Sequence, residues 1–124
     1  LEKVAIQINQ TYEQTCYDAC AVMVRRLVEI LIIETFEAHQ KSAIIKDSNG
    51  DYFMLNDLIS RFQSESWPQN PSRNLKKTLL ELKGIGDKSA HSRFYNAQRS
   101  DIDDVKVQLR GATEELLYLS KIKK

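Results

Sequence analysis

The chain has 124 residues, 42% hydrophobic and 28% charged, with a formal net charge of +1. One domain over residues 1–124 follows, large enough to bury a core without metal or disulfide support. The near-zero charge excludes long-range steering toward nucleic acid or an anionic membrane, so any such role needs a local patch or a partner. Four glycines and two prolines favour helices. No apolar run is long enough to span a bilayer, and no signal peptide is visible, so a cytoplasmic setting is expected. The chain begins at Leu1 rather than Met, as either a trimmed form or a piece of a longer protein would, and a larger parent protein or an operon partner is among the expected partners.

The first pattern runs from Thr11 to Ala38. Tyr12, Cys16, Cys20, Val24, Leu27, Leu31 and Thr35 recur at helical steps, and Val22, Met23, Val28, Ile30, Ile32 and Ile33 make the helix apolar nearly all round. Such a helix sits in the middle of a bundle or is covered by a second subunit. "EKVAIQI" before it extends the same helix or forms a short one. Cys16 and Cys20 read as reduced thiols packed like small hydrophobes. No metal site is expected, nor any cofactor. Arg25, Arg26 and Glu29 interrupt the apolar run and need partners; Glu29 lies within helical reach of both arginines.

Residues 44–54 carry the turn dipeptide Asn49-Gly50 between "AIIK" and "YFML", which predicts a short β-hairpin. Asp47, Asn49 and Asp51 mimic the start of a calcium loop, but Tyr52 and Leu58 replace its glycine and its bidentate glutamate. "MLNDLISRF" predicts a short amphipathic helix, and "SESWPQNPSR" a loop. Asn70 is the expected cap of the next helix, with Pro71 at its first position. That helix buries Leu75, Leu79 and Leu82. Ser100 is the expected cap of the last helix, where Ile102, Val105, Leu109, Ala112, Leu116 and Leu119 form the apolar face and "KIKK" a frayed end. The fold expected is all-α, an up-and-down bundle of four to five helices.

"KGIGDKSAH", Lys83 to His91, carries the strongest chemical hint. Either Gly84 or Gly86 ends the helix and leaves His91 in a loop, or the helix continues with a face of small residues that admits a close neighbour. In the second case Lys83, Asp87 and His91 form one polar stripe. His91 is then expected in a cleft within reach of an arginine from the long helix, with Glu29 and Asp87 as the carboxylates available to Arg25 and Arg26.

Three segments in order resemble the HEPN superfamily (higher eukaryotes and prokaryotes nucleotide-binding), in particular its bacterial branch associated with restriction-enzyme subunits. "MVRRLVE" is similar to an "LRRxLE"-like stretch. Leu55, Leu58 and Ile59 match an "LxxLI" pattern, and "LKGIGDKSAH" is similar to "iRkiGNkaaH". The resemblance covers Thr11 to Ile122. It implies an up-and-down bundle that often dimerises. Many members are metal-independent ribonucleases with an arginine separated by four to six residues from a histidine; others bind or assemble without cleaving. Carried over, His91 exchanges protons at the ribose 2′-hydroxyl, with Lys83 and Asp87 beside it. The arginine positions hold Gly84, Ile85 and Gly86, and Asp87 stands where the branch has asparagine. The cations left for RNA or a nucleotide are Lys83, Arg25, Arg26 and Arg93, and lysine replaces arginine poorly at a phosphate. A dimerising or binding module with a degenerate motif is the first expectation. A ribonuclease built on His91, or a nucleotide-binding module without cleavage, is the alternative. A homodimer through the long helix and the last helix is expected from their apolar surface.

Overall fold

The computed structural model describes residues 1–123 and is an all-α bundle. Its helices are α1 (Glu2–Glu13), α2 (Tyr17–Ala38), α3 (Leu55–Ser64), α4 (Leu75–His91), α5 (Arg99–Asp103) and α6 (Lys106–Leu119), with one 3-10 turn at Ser42–Ile45. These are six helices among the described residues, and the excess over four or five comes from two breaks that the apolar periodicity conceals.

The first break falls inside the Thr11–Ala38 pattern. Thr15 adopts a left-handed φ of +63°, and the Cys16 N–H reaches back to the Thr11 carbonyl at 2.8 Å. The chain reverses there, so α1 folds back onto α2 instead of extending it. Cys16 is consequently exposed at the start of α2, whereas Cys20 is fully buried; only one of the two thiols packs as a small hydrophobe.

The second break falls at Asp104–Val105. Ile102 buries against Cys20 and Ala21, whereas Ala112, Leu116 and Leu119 bury in the main core. One straight helix does not serve both faces, and the chain tightens through a Val105 N–H bond to the Ile102 carbonyl at 3.1 Å. The cap of this region also lies earlier than expected. Gln98, not Ser100, precedes the helix, and its N–H donates to Asp101 Oδ2 at 2.8 Å.

The apolar α2 is central. It packs against every other helix. Cys20, Ala21, Val24, Leu27, Val28, Leu31, Ile32 and Phe36 are all buried. Thr35 is buried as well and donates its hydroxyl to the Leu31 carbonyl at 2.8 Å.

Trp67 shapes the following segment. Its ring stacks edge-on against Phe36 and His39 and tilts over Phe62, while its indole N–H donates to the Phe62 carbonyl at 3.0 Å. With Trp67 inserted, and the Ser72 N–H held by Glu115 Oε2 at 2.7 Å, the chain through Arg73 stays irregular. Helix α4 therefore starts at Leu75 behind Asn74, and Asn70 and Pro71 remain in the loop.

The hairpin does not develop. Ser42–Ile45 winds into the 3-10 turn and Leu55 begins α3, because Ile45 and Leu55 are both drawn into the helical core. What remains is one antiparallel bridge, Lys46 to Tyr52, around a turn with Gly50 at φ +85°. Asp47 uses its carboxylate on the Asn49 and Asp51 N–H groups, a local role that accounts for its resemblance to a calcium ligand. Residues 121–123 of "KIKK" lie past the end of α6, and Lys124 lies outside the described residues.

Candidate functional site

The segment "KGIGDKSAH" is helical to its end, and neither glycine terminates α4. Leu75, Leu79, Leu82 and Gly86 form its buried face. Gly86 is where α2 comes closest. A Cβ built there would lie 2.5 Å from Arg25 Cβ and 3.0 Å from the Ala21 carbonyl oxygen. Gly84 has open space around its Cα, and nothing in the structure explains a glycine at that position.

This close approach sets the electrostatics. Arg25 Nε donates to Asp87 Oδ1 at 2.7 Å, and Lys83, one turn earlier on α4, bonds the second carboxylate oxygen. Asp87 is the carboxylate that Arg25 finds; neither Arg25 nor Arg26 pairs with Glu29 among the described residues. All three side chains of the cluster are half-buried. Partial burial by itself raises the Asp87 pKa, but the hydrogen bonds from Lys83 and Arg25 outweigh it and hold the carboxyl below the ordinary aspartate range. Asp87 is thus ionised and occupied on both oxygens.

His91 is not part of this cluster. It is the last residue of α4, exposed, and its side chain takes part in no hydrogen bond or ion pair among the described residues. The expectation of a cleft shared with an arginine of the long helix is therefore corrected: Arg25 stops one helical turn short, at Asp87. Arg26 is exposed, and Arg93 is exposed with its guanidinium over the Phe94 ring at 4.9 Å. The six candidate residues accordingly divide into one bonded triad, Arg25–Asp87–Lys83, and three separate exposed side chains, Arg26, His91 and Arg93.

Chemically, the triad is a clamp between α2 and α4. An acid–base role needs a proton-exchanging group held by an orienting partner. His91 is accessible but bonds to no such partner, and both Asp87 oxygens already accept from Arg25 and Lys83. No group of three or more histidine, cysteine, aspartate or glutamate side chains converges among the described residues.

A second polar cluster joins α1 to α5 and α6, and periodicity gave no sign of it. The Tyr12 hydroxyl donates to Asp103 Oδ1 at 2.6 Å and accepts from Arg99 Nε at 3.0 Å and Lys106 Nζ at 3.1 Å. Both cations also lie over the Tyr12 ring. The hydrogen bond from Tyr12, aided by Lys106, lowers the Asp103 pKa. Ninety-one positions separate Tyr12 from Asp103.

Compared with known proteins, the chain matches no family model, no curated protein and no solved structure. No helix of the described residues is long and apolar enough to cross a membrane.

Proposed function

We propose that the chain is a HEPN-like helical module that binds or self-associates and does not cleave RNA, serving a larger bacterial defence or nucleic-acid-processing system in the cytoplasm. The observation that carries this is the closed Arg25–Asp87–Lys83 cluster. A metal-independent ribonuclease needs a cation free to steady the phosphate and a histidine positioned at the 2′-hydroxyl. Here Arg25 and Lys83 are both bonded to the one carboxylate of Asp87, about 6 Å along the helix axis from His91. The order of the three resembling segments supports the family. The two free cysteines suit a reducing compartment. Self-association, if through α6, has Val107 at 80% exposure as its anchor; α2 offers no comparable surface.

The test is incubation of single-stranded RNA with the purified chain in a chelator, alongside His91→Ala and Asp87→Asn, with light scattering and gel-shift titration in parallel. The expected result is no cleavage by any of the three, with concentration-dependent dimerisation or RNA retention. His91→Ala leaves stability within about 0.5 kcal/mol, as for an exposed side chain without partners. Chelator-resistant cleavage that His91→Ala removes at unchanged melting temperature would establish the ribonuclease instead. A monomer with affinity for neither RNA nor nucleotide would overturn the binding module.

A further inference from the structure

Helices α1 and α6 both pack on α2 but diverge from each other, and a cleft of about 560 Å³ opens between them. Its lining shares no residue with the Asp87 cluster, and it is independent of the function proposed above. One wall is a helical stripe of α1, Ile8, Asn9 and Tyr12. The opposite wall is a stripe of α6, Lys106, Arg110 and Thr113, with Leu109 beside it. Cys20 and Leu27 of α2 form the floor. The volume falls within the roughly 300–1,000 Å³ typical of small-molecule sites, and an apolar interior with a few polar groups is the usual construction of one.

The charges at the rim select the ligand. Lys106 is engaged by Asp103 at 3.2 Å and by the Tyr12 hydroxyl. Glu114, also at the rim, is held by Lys123 at 2.7 Å. Arg110 has no ion pair among the described residues, although Glu114 lies one turn away on the same helix. The rim therefore presents one uncompensated positive charge over an apolar floor. The side chains of Asn9 and Thr113, on opposite walls, make no hydrogen bond within the described residues and are available as neutral donors.

We infer that this cleft binds a small apolar monoanion, an alkyl or aryl carboxylate, with its hydrocarbon body between α1 and α6 and its carboxylate on Arg110. Dispersion and water release hold the body. The guanidinium supplies two parallel donors to the carboxylate. A neutral hydrocarbon leaves Arg110 without a partner.

Titration with decanoate below its micellar concentration, followed by calorimetry, tests the assignment against decanol as the uncharged control. Decanoate is expected to bind one per chain, at least tenfold more tightly than decanol, with Arg110→Gln removing that difference and Arg110→Lys restoring part of it. Ala5→Trp, at the mouth of the cleft on the exposed side of α1, is expected to abolish binding of both. Thr113→Trp makes the same block from the opposite wall, should the first variant disturb α1. Equal affinity for decanoate and decanol, no binding of decanoate, or binding that survives both tryptophan variants would overturn the proposal. So would a dimer in light scattering that decanoate leaves intact and Ala5→Trp dissociates, since a second copy would then occupy the cleft.

Discussion

Gly86→Ala adds one methyl group where α2 and α4 meet. The new Cβ would stand 2.5 Å from Arg25 Cβ and 3.0 Å from both the Ala21 carbonyl oxygen and Arg25 Cδ. Ordinary carbon contacts lie at about 3.5–4.0 Å, so the helices must part by about 1 Å or one must shift along the other. Arg25 Cδ swings aside easily; Arg25 Cβ and the Ala21 carbonyl move only with the backbone. Overpacking of this kind costs about 1–3 kcal/mol, and the better helix propensity of alanine returns about 1 kcal/mol. The net loss is about 1 kcal/mol. Gly84→Ala, two residues away in the same helix, meets nothing within 4 Å and gains about 0.5–1 kcal/mol from propensity alone. The two variants should therefore lie on opposite sides of the wild type, about 2 kcal/mol apart, or about 8 °C in melting temperature for a domain of this size. Urea and thermal denaturation followed by circular dichroism measure both. Equal stability of the two variants would refute the close-approach argument. So would full recovery in Arg25→Ala/Gly86→Ala, because alanine keeps the Cβ and removes only the flexible part of the obstacle.

The clamp makes stability depend on pH with a definite sign. Burial works to raise the Asp87 pKa, but the bonds from Lys83 and Arg25 outweigh it and leave it below the unfolded value near 3.8, so the folded protein binds fewer protons there than the unfolded chain. The wild type should exceed Asp87→Ala by roughly 1 kcal/mol at neutral pH, and the gap should close as pH falls from 3.8 through the folded pKa; a gap independent of pH in parallel melts counts against the clamp. Trp67→Ala empties a site against Phe36 and Phe62 and should cost about 3–5 kcal/mol in urea unfolding, whereas a cost under 1 kcal/mol would mean that the loop merely lies over the core.

Helical periodicity carried the fold class and most of α2, α3 and α4. It also carried the seam: Leu75, Leu79, Leu82 and Gly86 follow one stripe, and the change from large to small side chains marks the place where α2 comes close. What it could not carry was direction. Tyr12, Cys16 and Cys20 keep a perfect step of four through a reversal, because Thr15 takes its left-handed conformation without the glycine that usually announces one. The break at Asp104 is hidden similarly, since Ile102 and Leu116 are both apolar yet belong to different clusters. For the candidate site, spacing placed Lys83, Asp87 and His91 on one stripe of α4. Spacing does not say how far along that stripe the neighbouring arginine reaches, and it reaches Asp87 only. Tyr12 and its three charged partners come from distant segments and carry no local signature.

The reversal at Thr15 also makes α1 a detachable part with its own chemical gauge. Val4 is its single buried residue, and the helix rests on α2 and is tied by hydrogen bonds to α5 and α6 only through Tyr12 among the described residues. Segments attached this way open at a fraction of the global unfolding free energy. Cys20 lies beneath, with its sulfur 3.6 Å from the Ile8 carbonyl oxygen and its thiol pKa raised by burial. Cys16, four residues earlier, is open to solvent. In one labelling time course the exposed thiol reports the reagent, and the buried one reports how often the cleft between α1 and α6, whose floor it forms, opens to that reagent.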